Sequence, residues 1–97
     1  MGSPFSRMTD SLFHRLGIDG TVYSENLQYQ VRAIVVVGES VVDENGYLID
    51  DMTTCSLKVQ ELGEYNPGDT IDLKDGRSFI LGKELSNNGY VRKLRVD

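Results

Sequence analysis

The 97 residues have the length of one small domain, expected over residues 1–97, and 39% hydrophobic with 26% charged residues is the composition of a folded globular protein. A net charge of -5 argues against a protein that mainly binds nucleic acid phosphates, because that affinity comes from concentrated lysine and arginine. The longest apolar run covers only residues 33–37, so no membrane span is predicted, and the single cysteine can form no internal disulfide.

An amphipathic helix is predicted over residues 3–17. Ser3 can cap its start, Pro4 suits its first turn, and Gly17 can end it. At about 100° per residue one apolar stripe forms, which consists of Phe5, Met8, Leu12 and Leu16. We expect this stripe to cover a sheet. The alternative is that the helix docks on another subunit, and Phe13 beside the stripe is a candidate residue for that contact.

Beyond Gly20 the hydrophobic period changes to alternation, which predicts β structure over residues 20–96. The first strands are expected over residues 21–24 and 28–37. The second of these becomes apolar on both faces towards its end, at Ile34 and Val36. Burial on both faces explains this pattern, and an apolar ridge that contacts another subunit is the alternative.

The clearest alternation, over residues 53–60, turns Cys55 and Leu57 towards a core. Further along, Pro67 and Gly68 suit the centre of a type II turn. A two-residue hairpin turn is expected at residues 75–76, and another turn at residues 87–89. The strands between these turns form a predicted meander, over residues 70–74, 79–85 and 90–96.

The segment 38–51 resists assignment to a helix or strand. No lysine or arginine occurs from residue 33 through residue 57. A connection of this length in a small domain is commonly functional or disordered, so we expect a mobile loop. The β-forming residues around Asn45 and Gly46 also indicate a flap that can become a hairpin when it packs on a partner. Its acidic residues are Glu39, Asp43, Glu44, Asp50 and Asp51.

No catalytic, cofactor-binding or metal-binding set is predicted. A catalytic thiol needs a general base, and the only histidine, His14, lies in the predicted helix, so Cys55 is interpreted as a core residue. Residues 76–84 resemble a phosphate loop, but Glu84 stands where a hydroxyl must hold magnesium. We therefore expect a protein without enzymatic activity or cofactors.

Basic charge concentrates near the end of the chain. The last strand carries Arg92, Lys93 and Arg95. Base-stacking aromatic residues are not interleaved with them, so a solvated outer face or ion pairs with an acidic neighbour are favoured over nucleic acid contact.

The succession of strands, turn and long loop resembles the head-tail joining proteins of tailed bacteriophages, the head completion or lambda tail attachment family. The resemblance extends from Val31 to Val96 and is carried by residues 31–35, 56–59, 67–71, 79–81 and 89–96. It implies a compact β-sandwich or barrel with a mobile loop and no enzymatic activity. It also implies assembly as a ring under the portal after DNA packaging, which closes the filled head and presents a surface to the tail.

We therefore expect a mainly β sandwich or barrel with one helix, working as a structural protein of the virion and assembled in the cytoplasm of a bacterial host. Its expected partners are portal or adaptor proteins, tail proteins and copies of itself, with DNA only passing through the ring and no membrane. The acidic loop is assigned to the ring lumen, and the subunit or partner contacts are assigned to Phe13, Ile34, Val36, Arg92, Lys93 and Arg95. The competing hypothesis is a small β-barrel binding module whose loop gates a sugar, a nucleotide or a cation.

Overall fold

A computed structural model describes residues 4–42 and 45–97 of the chain. Within these ranges one helix precedes six strands. The elements are α1 (Pro4–Leu16), β1 (Ile18–Ser24), β2 (Leu27–Val42), β3 (Leu48–Lys58), β4 (Thr70–Leu73), β5 (Ser78–Asn87) and β6 (Val91–Val96). The helix agrees with the sequence prediction, although Ser3, its predicted cap, lies outside the described residues.

The strands form a closed antiparallel barrel in the order β1-β2-β3-β6-β5-β4. It closes where β1 pairs with β4, with Gly20 opposite Leu73 and Val22 opposite Ile71. A Cβ at Gly20 would lie 2.8 Å from the carbonyl oxygen of Asp72, so this close approach requires glycine. The mainly β fold with one helix is confirmed, and so is the meander of β4, β5 and β6.

The barrel core consists of the inward side chains that alternation predicted. Cys55 and Leu57 on β3 are fully buried, as expected. Burial raises the pKa of the Cys55 thiol to about 12, which keeps it protonated at neutral pH. The other core residues are Val22, Val31, Ala33, Leu62, Ile71, Leu73, Leu81, Leu94 and Val96.

One predicted turn is confirmed and one is wrong. The amide of Asp69 donates to the carbonyl of Asn66 at 3.0 Å, and Gly68 has a φ of 103°, as the type II turn requires. The two-residue hairpin at 75–76 is instead a three-residue loop, because the amide of Leu73 donates to the carbonyl of Arg77. Asp and Gly suit both loops, so the dipeptide alone could not distinguish them.

The helix packs on the barrel through a face that the stripe did not predict. Phe13 is 2% exposed, whereas the stripe residues Met8, Leu12 and Leu16 are 63%, 47% and 56% exposed. Lys58 on β3 lies 2.9 Å from the carboxylate of Asp10 and 5.7 Å from the centre of the Phe13 ring. These contacts fix the rotation of α1. The expectation that the stripe covers the sheet is therefore wrong, and so is the assignment of Phe13 as a partner contact.

Arg32 on β2 holds the end of this helix. Its Nε donates to the carbonyl of Phe13 at 2.5 Å, and a terminal nitrogen donates to the carbonyl of His14 at 3.0 Å. The remaining nitrogen lies 2.8 Å from the carboxylate of Asp19. A Cβ at Gly17 would lie 2.6 Å from the Arg32 side chain, so glycine is needed here as well. The Phe13 carbonyl also accepts the amide of Gly17 at 2.9 Å, so the guanidinium adds a second donor to it and provides a donor for the carbonyl of His14 at the helix end.

Replacing Arg32 by Met should lower the free energy of unfolding by about 1–3 kcal/mol, because two helix-end carbonyls lose a charged donor. Urea unfolding followed by circular dichroism measures this change. The matched control is Arg77→Met, which removes a more exposed guanidinium paired with Asp75 and should cost at most about 1 kcal/mol. Equal losses in the two variants would contradict the role given to Arg32.

Candidate assembly surfaces

The strands β2 and β3 continue beyond the barrel as a two-stranded ribbon. The pairing of β1 reaches β2 only as far as Ala33, and the pairing of β6 reaches β3 only from Thr54 onwards. Past these points β2 and β3 pair with each other as far as Val42 opposite Leu48. We call residues 37–53 the arm.

The arm corrects the prediction of a loop over residues 38–51. Most of that segment belongs to β2 and β3, whereas Asp43 and Glu44 lie outside the described residues. The strands on either side of Asn45 and Gly46 pair, with Val42 opposite Leu48, without a partner molecule. Val41, Val42 and Ile49 favour strand, and this preference outweighs the acidic composition on which the loop prediction depended. The mobility expected of this segment stays a prediction.

Two register shifts mark the base of the arm. One lies between Val36 and Glu39, and the other between Glu39 and Val41. Gly38 and Asp51 have φ values of 76° and 59°, so each strand has a residue in the left-handed region near these shifts. Such bulges bend a ribbon and increase its twist. They set the direction in which the arm leaves the barrel.

Glu39 lies between these bulges and joins the arm to the barrel wall. Its carboxylate accepts a hydrogen bond from the fully buried hydroxyl of Thr54 at 2.5 Å and another from the ammonium of Lys93 on β6. These two hydrogen bonds hold the pKa of Glu39 below its ordinary value, and the bond from Lys93 has the larger effect. The assignment of Glu39 to the acidic lumen surface is therefore corrected, because its charge is neutralised within the chain. Lys93, predicted as a partner contact, is committed to this ion pair.

Arg92 is also committed within the chain. Its guanidinium lies 2.7 Å from the carboxylate of Glu84, donates to the carbonyl of Gly63 at 3.0 Å and lies 5.0 Å from the centre of the Tyr65 ring. These contacts tie the connection between β3 and β4 to β5 and β6. The assignment of Arg92 as a partner contact is therefore corrected, whereas Arg95, predicted with it, is exposed.

The remaining predicted contacts lie on β2 before the arm. Ile34 is half-buried and Val36 is 41% exposed, so this strand is only partly covered on its second face. The expected apolar ridge is thus present in part. Nothing in the alternation of the sequence showed how much of it the barrel would cover.

Two exposed apolar surfaces lie outside the residues that were assigned as contacts, although docking of the helix on another subunit was the stated alternative. On the arm, Val42 and Leu48 lie directly opposite each other and are 62% and 63% exposed. The second surface is the stripe of α1 described above. The signal for the arm was available in the sequence, as β-branched residues on both sides of Asn45 and Gly46, but the acidic residues around it favoured a loop.

A groove of about 410 Å³ lies between the arm and the barrel wall. The arm contributes Val42, Ile49 and Met52, so the groove has an aliphatic side. Lys83 and Arg95 add positive charge, and the carboxylate of Glu84 is paired with Arg92. An anionic group with an apolar portion fits this combination of side chains.

Two searches of the described residues define the surfaces further. No group of three or more His, Cys, Asp or Glu side chains in residues 4–42 and 45–97 could hold a metal ion. In the same part of the chain, the helix is too short and too polar to cross a membrane.

A scan against models of known protein families finds no match for this sequence. A search of curated proteins likewise finds no match. The inference of function therefore depends on the surfaces of the molecule and on the resemblance carried by residues 31–96.

Replacing Glu39 by Gln should lower the free energy of unfolding by about 1–2 kcal/mol at neutral pH, because the amide cannot form the ion pair with Lys93. A carboxylate with a lowered pKa in the folded state stabilises that state above its unfolded pKa, near 4.5, and stops doing so as the pH falls through the folded value. The difference between wild type and variant should therefore shrink below that pH.

Urea unfolding of both proteins at several pH values between neutral and strongly acidic measures this difference. Glu64→Gln removes an exposed carboxylate and serves as the control, which should leave the stability close to that of the wild type at every pH. A Glu39→Gln penalty that stays constant as the pH falls would contradict the ion pair.

Proposed function

We propose that this chain is a structural virion protein of a tailed phage or prophage, which joins head to tail by assembling as a ring between portal and tail. The observation that carries the proposal is the arm, whose apolar residues Val42 and Leu48 project from a closed barrel into solvent. Exposed apolar patches on small proteins mark surfaces that bind other proteins. The resemblance of residues 31–96 to head-tail joining proteins supports the same function.

The proposed work of the chain is assembly and not catalysis. Arg32, Arg92 and Glu39 are each held by two or more partners within the chain. Groups held in this way support a rigid shape. A rigid barrel with projecting apolar surfaces suits a connector, because its subunits must present the same contacts at every position of a ring.

The acidic residues of the arm have a role in this proposal. DNA passes through the ring during ejection, and a wall that attracted phosphates would retain the strand. We assign Asp43, Glu44, Asp50 and Asp51 to the lumen, whereas Glu39 leaves this set because Lys93 neutralises it. Repulsion between exposed charges acts within a Debye length of about 8 Å at physiological salt, so the arm must come close to the DNA.

Deleting the gene from the phage or prophage genome tests the function itself. We expect filled heads without tails, together with free tails, in electron micrographs of the lysate, and a plasmid copy of the wild-type gene should restore infectious particles. Mass spectrometry of purified particles should then detect the chain. Normal infectious particles made without the gene would overturn the proposal.

The variant Asp43→Asn, Glu44→Gln, Asp50→Asn, Asp51→Asn should fold and assemble but eject DNA more slowly, or with a new dependence on salt, because phosphates are no longer repelled. Ejection from purified particles can be followed by the fluorescence of a DNA dye. The control variant Glu25→Gln, Glu64→Gln, Asp97→Asn removes exposed acids outside the arm and should eject normally. Unaltered ejection by the arm variant would remove the lumen assignment.

A second candidate function, a binding module gated by the arm, is favoured by the groove of about 410 Å³. Lys83 and Arg95 suit an anionic ligand such as a nucleotide or a sugar phosphate better than a cation. A thermal-shift screen of such compounds tests it, since a ligand at a hundred times its Kd stabilises the folded protein by about 2.7 kcal/mol. Absence of any shift across the screen would reject this candidate.

A further inference from the structure

We propose that the end of the arm of one copy docks on the exposed apolar stripe of α1 of the next copy. Each chain then carries both halves of a head-to-tail contact. The inference rests on the proposed function for its setting, a ring of identical subunits, and it names the two surfaces through which that ring closes.

The receiving surface is the stripe of Met8, Leu12 and Leu16. These three side chains are about half or more exposed, and they follow one another at intervals of about one turn. The helix cannot rotate to bury them, because Phe13 and the ion pair of Asp10 with Lys58 hold its other side on the barrel. The stripe therefore remains available to another molecule.

The docking surface is the end of the arm. Val42 and Leu48 form a cross-strand pair, and opposite residues of an antiparallel ribbon share one face. Both side chains are more than 60% exposed, so the pair forms a small apolar projection. A projection of this size suits the spaces between successive side chains of a helical stripe.

The two surfaces also have opposite charge. Arg7 and Arg15 lie on the exposed helix. The arm has five acidic residues and no lysine or arginine in its sequence, and one of the five, Glu39, is paired with Lys93 of the barrel. Opposite charges around small apolar contacts steer the two surfaces together and select their register. Two helices or two arms brought face to face would place like charges together.

A single chain cannot make this contact with itself. The helix lies at Arg32 and Lys58, beside the paired residues Ala33 and Leu57 at the barrel end of the ribbon. The arm ends at Val42, nine residues beyond Ala33 along β2, which corresponds to roughly 30 Å of extended strand. The paired strands hold the two surfaces apart, so the occupant of the stripe is a second copy.

The contact is heterologous, because different surfaces of the two copies meet. Repetition of such a contact gives a closed ring when the rotation per subunit closes, and a filament when it does not.

Sedimentation velocity of the full chain at low salt, from micromolar to millimolar concentration, tests the inference. The wild type should associate with rising concentration. The helix variant Met8→Gln, Leu12→Gln, Leu16→Gln and the arm variant Val42→Thr, Leu48→Thr should each associate at least about tenfold more weakly. An equal mixture of the two variants should form dimers and nothing larger, because each retains the half that the other has lost.

The matched control is Leu27→Gln, Ile80→Thr, which removes apolar side chains that are 57% and 51% exposed away from both surfaces, and it should associate like the wild type. Circular dichroism checks that every variant is folded. Charge reversal by Arg7→Glu, Arg15→Glu gives a second test of the helix surface without loss of apolar area, and it should weaken association as well.

Three results would overturn the inference: a wild type that stays monomeric at millimolar concentration, variants that associate like the wild type, or a mixture of variants that forms no dimer. Each of these leaves the proposed function standing if gene deletion still yields filled heads without tails. Conversely, normal particles made without the gene overturn the proposed function whatever the sedimentation experiment shows.

Discussion

β2 and β3 pair from Ala33 opposite Leu57 to Val42 opposite Leu48, and the rest of the molecule is arranged around this ribbon. Its first part contributes Ala33, Cys55 and Leu57 to the core of the barrel. The outward side chains at that level hold the helix, and the far end of the ribbon is the arm. The antiparallel register thus fixes the distance between the two exposed apolar surfaces, because a paired ribbon is much stiffer than a single extended segment.

The pairing of this long ribbon is interrupted at the base of the arm. Two bulges interrupt its pairing, and backbone hydrogen bonds lost at a bulge weaken the ribbon locally. Glu39 compensates at that position, since its carboxylate binds one group on β3, Thr54, and one on β6, Lys93. A charge that sequence analysis assigned to the ring lumen is therefore part of the support of the arm. Replacing the acid by its amide therefore affects stability differently at Glu39 and at Asp51, because of these two residues only Glu39 has this support role.

Local chemistry predicted the barrel strands well. Alternation at Cys55 and Leu57, and proline followed by glycine at residues 67–68, depend on near neighbours in the chain, and the structure agrees with both predictions. The rotation of α1 was not predictable in this way, because it is set by Lys58, more than forty residues further along the chain. The role of Glu39 likewise depends on Lys93 across the barrel. The candidate surfaces were only partly foreseen, since exposure depends on which apolar residues the rest of the chain leaves uncovered.

The energetics of the exposed surfaces suit the proposed assembly, in which free copies associate only weakly. Each of Met8, Leu12, Leu16, Val42 and Leu48 is roughly half exposed or more, so burying the exposed parts contributes about 1 kcal/mol per side chain. The opposite charges of the two surfaces add to this gain and the lost freedom of motion opposes it, so one such contact is weak in dilute solution and forms as the concentration approaches millimolar. The last subunit to enter a ring forms two contacts while it loses its freedom of motion only once. A ring that begins on a fixed template therefore closes cooperatively, although a pair of free copies dissociates readily.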